Sequence, residues 1–392
     1  MKKIIYIHAR SYPYNQTFYK EGSDDYFFFG EGPLYILNKP VYEKSFEFEV
    51  WRSEVGLKKL KEKFVYQVKC RIFPGFHIKR LDTISLSLVK SLFDEIRKNE
   101  IIIHYTASPH KFEFYLILFL LGKRAKIFVS HQGGANPFWK FCRYKRISSY
   151  IAYLIEKWLF KRAEWFFAVS ETEINYLKDI IKIDRIYTNP HWGLDIQLYE
   201  PIEKDFSREY LKLDKNKKYI LLFGKLNKYR GVSSAIQVRD KLREKYDVEL
   251  LSVGSDETCP DYQIAKESGV ILRGYVPIED MKYYYSAGDV YLYLTNGEEN
   301  ELFAGTGIAP LEALACNIPV VSNVFYHFKH LNLQNYGVYV KTIDEAVNAI
   351  DKIWSGKLKL ENGRTLIEKY FDWRVITKEI FELYHKTFSE NL

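Results

Sequence analysis

"ELFAGTGIAPLEALACNIPVVSN", residues 301–323, decides how this chain is read. Gly305, Thr306 and Gly307 stand ahead of Pro310 and Glu312, and the apolar run "IPVVS" follows Asn317. Pro310 suits the first turn of a helix, where its missing N–H costs nothing. Asn317 suits the left-handed position that closes a helix before a strand. Just upstream, "DVYLYLT" at 289–295 reads as a buried strand. Strand, glycine loop, helix and strand make one step of a parallel sheet. The loop itself has two readings. It is a tight connection between core elements, or a cradle whose free N–H groups and positive helix end hold a phosphate.

The same alternation extends through the chain. In the first half, "KIIYIHA", "FEFEVWR", "EIIIHYTA", "AKIFVSHQGG" and "EWFFAVS" read as strands. Helices are expected over "PLYILNKPVYEK" (33–44), "SLSLVKSLFDEIRKN", "KFEFYLILFLLGK", "SSYIAYLIEKWLFKRA" and "ETEINYLKDI", the last capped by Ser170 or Thr172 with Glu173 behind. The second half restarts with "KYILLFGKL", "VELLSVG" and "VILRGYV" as strands. "VSSAIQVRDKLREKY" and "PIEDMKYYYSAG" read as helices, the latter started by Pro277, Glu279 and Asp280. Periodicity lapses in "GLDIQLYEPIEKDFS", 193–207, so the domains are expected at 1–195 and 196–371. The fold class is α/β: two Rossmann-like domains with parallel sheets facing across a cleft. Length agrees, since 392 residues exceed one ordinary core.

Composition narrows the function. Hydrophobic content of 47% with 28% charge is that of a globular chain. Cys70, Cys142, Cys259 and Cys316 form no CxxC pair, which argues against zinc and for a reducing cytoplasm. The longest apolar run, "FYLILFLL", is far short of the roughly 20 residues of a membrane span. The net charge of +8 is uneven: residues 123–162 are basic and rich in aromatics, with Glu156 as their sole acid. That stretch could contact nucleic acid, anionic lipid or a phosphorylated substrate, or be a solvated helix face. No Asp-x-Asp appears for a diphosphate-bound metal, and no Gly-x-Gly-x-x-Gly follows the first strand.

Candidate site residues fall at strand ends. "KYILLFG" ends at Gly224 and runs into "KLNKYRG", whose Lys225 and Arg230 are cations suited to a diphosphate. Glu312, near the start of its helix, could accept from the paired hydroxyls of a ribose or simply complement the dipole.

These residues resemble glycosyltransferase family four, the retaining enzymes of the GT-B fold. The motifs are "GKLNKYRG", "RGYVPIEDMKYYYSAGDVYLYLT" and "AGTGIAPLEALACNIPVV". The last is similar to an element of two glutamates separated by seven residues, with Glu312 as the second and Ala304 where the first is expected. More loosely, "IIIHYTASP", "IFVSHQGG", "AEWFFAVSETEINYL" and "WGLDIQLYEP" resemble the family's N-terminal segments, and "DWRVITKEIFELYHKTF" its closing helix.

The resemblance implies retaining transfer from a nucleotide-sugar donor, UDP- or GDP-linked, with no metal or other cofactor. Lys225 and Arg230 would neutralise the leaving diphosphate, with Gly224 beside them. Gly305, Thr306 and Gly307 would hold the diphosphate or sugar, and Glu312 the ribose. His131 would face the donor sugar, while His104 reads as structural. Gly30, Gly32 and Gly133 would line the acceptor side. The closing helix, 372–392, would pack back on the N-terminal domain. The acceptor would be a glycan or lipid-linked, with no nucleic acid as partner. The chain would be cytoplasmic, with peripheral contact between 123–162 and the inner membrane face. Ala304 leaves a second reading open, a catalytically impaired nucleotide-sugar-binding protein of the same fold.

Overall fold

In the computed structural model, residues 2–8, 45–65, 68–78, 82–107, 112–131, 135–227, 230–295, 307–324 and 331–389 are described below. The chain forms two units, residues 1–192 with 376–392, and residues 193–375.

Unit 1 is built on a mostly parallel sheet. Its strands are β1 (Lys2–His8), β2 (Glu47–Val55), β3 (Lys61–Val65), β4 (Val68–Ile78) and β5 (Asp82–Ile84), then β6 (Glu100–Ala107), β7 (Lys126–His131), β8 (Trp165–Phe167) and β9 (Ile186–Tyr187). Between them run α1 (Leu86–Lys98), α2 (Phe112–Leu121), α3 (Pro137–Tyr144), α4 (Ile147–Leu159) and α5 (Glu171–Lys178). The strand order is β3-β4-β2-β1-β6-β7-β8-β9, with β5 also on β4. Uncharged runs such as Ile101–Ile103 form the centre because a parallel sheet is covered on both faces.

β3, β4 and β5 are strands the sequence reading did not anticipate. β3 and β5 are antiparallel additions to β4. Val68, Cys70 and Ile72 point inward between Lys69 and Arg71, a period-two pattern diluted by the surrounding lysines. α3 was also unread, although Asn136 caps it by accepting from the Trp139 N–H at 2.8 Å and Pro137 opens it. The helix expected over 33–44 lies outside the described residues.

Unit 2 contains α6 (Lys204–Tyr210), β10 (Lys218–Phe223), α7 (Val232–Leu242), β11 (Val248–Val253), α8 (Tyr262–Glu267), β12 (Ile271–Arg273) and α9 (Met281–Ser286). It continues with β13 (Val290–Tyr293), α10 (Ile308–Ala315), β14 (Val320–Ser322), β15 (Gly337–Tyr339), α11 (Ile343–Trp354) and α12 (Gly363–Tyr370). Six parallel strands lie in the order β12-β11-β10-β13-β14-β15. The helix expected from Pro277 opens instead with a tighter 3-10 turn over Ile278–Asp280. Asn317 takes the left-handed conformation, φ 58°, that closes α10. The last helix, α13 (Trp373–Ser389), passes from unit 2 into unit 1 at Ile376. There Phe46 stacks on Phe381 and Phe388, and Asn189 donates to Glu379 at 3.2 Å.

Candidate functional site

The strand order of unit 2 places a site. From β10 the chain moves through α7 to β11 on one side, whereas β13 lies on the other side of β10. The connections beyond the carboxyl ends of β10 and β13 therefore diverge, and ligands of open α/β sheets gather at such a point.

Several residues meet there. Gly224, φ 100°, ends β10, and Arg230 folds back over it. A Cβ at position 224 would stand 3.2 Å from the Arg230 Nη2 and 3.3 Å from its Cζ. The Arg230 guanidinium also lies 5.3 Å from the centre of the Tyr293 ring at the end of β13, within cation–π range. The loop between is pinned by Ser255, which accepts from the Leu226 N–H at 2.9 Å and donates to the Gly224 carbonyl at 2.8 Å. Gly231, φ 61°, is obligatory, since a Cβ there would lie 2.1 Å from the Leu294 carbonyl oxygen. Lys225 sits in the same loop, half-buried.

Gly307, φ 77°, immediately precedes α10, and having no side chain it gives the helix end no side-chain cap. Glu312 stands in the second turn rather than the first, so complementing the dipole is not its role. Its Oε1 accepts from the Tyr199 hydroxyl at 2.5 Å and its Oε2 from the Tyr285 hydroxyl. Burial raises the Glu312 carboxyl above its ordinary range, and the two phenol donations oppose that rise. Burial, with Glu312 adding to it, pushes the Tyr285 hydroxyl far up, so it remains a donor. A carboxylate oxygen has two lone pairs, so each retains capacity for a ligand hydroxyl.

The structure thus brings Gly224, Lys225, Arg230, Gly307 and Glu312 into one unit at strand ends. Gly30, Gly32, Gly133, Gly305 and Thr306 lie outside the described residues. His131 ends β7, opposite Ala107, and only its backbone is described. His104 is a core residue: its Nε2 lies 2.6 Å from the Ser130 Oγ, its Nδ1 bonds the Tyr384 hydroxyl, and burial lowers its pKa to about 3. Ser170, not Thr172, caps α5, accepting from the Glu173 N–H at 3.3 Å. The reading of residues missed Tyr199, Tyr285 and Tyr293, since their partners are distant in sequence. Among the described residues, no group of three or more His, Cys, Asp or Glu could hold a metal ion, and no helix is long and apolar enough to cross a membrane.

Two sheet units with a strand-end site at a switch point define the class, a GT-B-type fold. Within it, residues 203–369, most of unit 2, match the family described as Glycosyl transferases group 1. An uncharacterized glycosyltransferase of Methanocaldococcus jannaschii, MJ1607, is 26% identical over 54% of this chain and 55% of its own length. A second from that organism, MJ1069, is 23% identical over 62% and 63%. The chain thus spans less than two thirds of either relative. Among solved structures, sucrose-phosphate synthase from Thermosynechococcus elongatus superposes with a TM-score of 0.71 at 17% identity, over 100% of both chains. A glycosyltransferase from Rickettsia africae gives 0.70 at 14% over 98% of each. HepE of Anabaena in complex with UDP-glucose gives 0.63 at 15%, over 98% of this chain and 99% of that one. The α/β class with two parallel-sheet units expected from the sequence is borne out.

Proposed function

We propose that the protein is a retaining glycosyltransferase, moving a sugar from a nucleoside-diphosphate-sugar, bound by unit 2, to a glycan or lipid-linked acceptor. The observation that carries this reading is the packing of Arg230 over Gly224 and Tyr293 at the β10/β13 switch, in the unit that also holds Glu312. The UDP-glucose held by the HepE neighbour favours a UDP-sugar as donor.

Glu312 would bind the ribose hydroxyls, its orientation set by Tyr199 and Tyr285. Gly305, Thr306 and Gly307 would offer backbone N–H groups to the diphosphate. As the bond from the anomeric carbon to the diphosphate oxygen breaks, negative charge develops on the leaving group, and Lys225 and Arg230 would stabilise it. The acceptor hydroxyl forms the new bond on the same face and its proton passes to the departing phosphate oxygen, so configuration is retained without a metal. His131 would stand by the donor sugar, and Gly30, Gly32 and Gly133 by the acceptor. The basic stretch 123–162 would bring a cytoplasmic enzyme to an anionic membrane face where lipid-linked acceptors lie.

The test is turnover of UDP-, GDP- and ADP-sugars with anomeric configuration read by NMR. Removing a preorganised cation of this kind costs about 10²–10³ in rate. Lys225→Ala and Arg230→Ala should each show such a loss, and unchanged turnover in both contradicts their roles.

A further inference from the structure

α4 is an amphipathic helix turned outward. Its inner side carries Ala152, Tyr153, Glu156 and Leu159, and Glu156 is fully buried. Its outer side carries Ile147, Tyr150, Ile151, Leu154, Ile155 and Trp158, all exposed, with Ile147 at 74% and Trp158 at 54%. These six recur at the spacing that gathers side chains on one helical face. Single exposed apolar residues are ordinary, but a continuous stripe on a surface helix marks a contact surface. It continues onto α2, where Phe119 is 51% exposed and its ring lies 5.8 Å from Trp158.

Charge decides among occupants. Arg143, Lys145, Arg146, Lys157 and Lys161 are exposed around the stripe, and Arg162 lies 4.4 Å from the Trp158 ring. The sole acid of residues 123–162 is Glu156, which faces inward, where Tyr115 and Tyr176 donate to it. Among the described residues the outer face of this stretch is therefore apolar and cationic, its one acid being turned inward. A second copy would set cations against cations, whereas a bilayer surface rich in anionic lipid satisfies both stripe and rim.

We infer that α4 lies in the plane of an anionic lipid interface, its Ile147–Trp158 stripe seated in the boundary between headgroups and acyl chains. This goes beyond the electrostatic contact proposed for residues 123–162: the apolar stripe is the anchor and the cations select the lipid. It does not depend on the donor chemistry of unit 2, so either can fail alone.

The experiment is co-sedimentation of the full chain with vesicles of phosphatidylcholine, alone or with phosphatidylglycerol at three parts to one. Wild type should partition at least tenfold more strongly onto the anionic vesicles. The double variant Ile151→Ser/Leu154→Ser, with both sites on the exposed face, should lose at least tenfold of that partition while keeping the wild-type melting temperature. In the wild type, acyl-chain bromination should quench tryptophan emission, and Trp158→Phe should abolish the quenching. Absence of wild-type binding, or equal partition of wild type and double variant, overturns the inference. So does an intact quenching signal in Trp158→Phe. A wild-type dimer that the double variant dissociates, without binding to vesicles, would assign the stripe to a second copy and overturn it as well.

Discussion

Two glutamates in this molecule are held in the same way and do different things. In unit 1, Glu156 accepts from Tyr115 at 2.5 Å and from Tyr176. In unit 2, Glu312 accepts from Tyr199 at 2.5 Å and from Tyr285. Glu156 is 0% exposed beneath α4, and its partners come from α2 and α5, so the trio ties three helices across the unit 1 core. Glu312 keeps part of its surface, on a helix that follows a glycine at the carboxyl end of β13. A paired-phenol clamp is thus a way to satisfy and orient a carboxyl group in a poorly solvated place. Whether it serves stability or binding depends on whether a ligand can still reach the oxygens.

That contrast can be broken by substitution. Glu156→Ala strands two buried phenol hydroxyls and should cost about 3 kcal/mol of unit 1 stability, given roughly 1–3 kcal/mol for each unpaired buried group. Denaturant unfolding measures it, and a loss no larger than that of an exposed-site control would refute the structural role. Glu312→Ala strands the buried Tyr199 and Tyr285 hydroxyls in the same way and should cost a similar amount, about 3 kcal/mol, but should also weaken nucleotide-sugar binding at least tenfold. A variant that binds normally would remove Glu312 from the site.

The two units should also answer pH in opposite senses. Burial lowers the His104 pKa from 6.5 to about 3, so unit 1 gains stability from a neutral His104 above about pH 6.5 and loses it as pH falls towards 3. The Glu312 carboxyl is raised above 4.5, so its contribution is present below that pH and declines as pH rises through the folded value. His104→Gln should therefore flatten the acid limb of the melting curve, and Glu312→Gln the decline above pH 4.5. Identical pH profiles for wild type and both variants would contradict these assignments. The smallest effect is expected at Asn317: Asn317→Val should cost about 1 kcal/mol because a branched side chain resists the left-handed position. Stability equal to wild type would show that the cap does not matter.

What the sequence disclosed follows from the range of the forces involved. β6 and the central strands of unit 2 were legible because uncharged runs between caps and turns are a local signal. The left-handed Asn317 and the Ser170 cap were legible for the same reason. The antiparallel pair β3 and β4 was hidden because its lysines and arginines alternate with only a few apolar residues. Glu312 was visible as a candidate, but its clamp was not: Tyr199 and Tyr285 lie 113 and 27 residues away, and no local pattern joins them. Glu156 looked like an odd acid in a basic stretch for a similar reason. The amphipathicity of α4 was evident, yet the sequence cannot say which side faces the core. The buried Glu156 and exposed Ile151 settle that.

The central claim is that unit 2 binds a nucleotide sugar through Glu312. Isothermal titration of UDP-, GDP- and ADP-glucose into wild type, Glu312→Gln and Glu156→Gln tests it most directly. The account predicts that one donor binds wild type and folded Glu156→Gln alike, and binds Glu312→Gln at least tenfold more weakly. Equal affinity for wild type and Glu312→Gln, or no binding of any of the three donors to wild type, would contradict it.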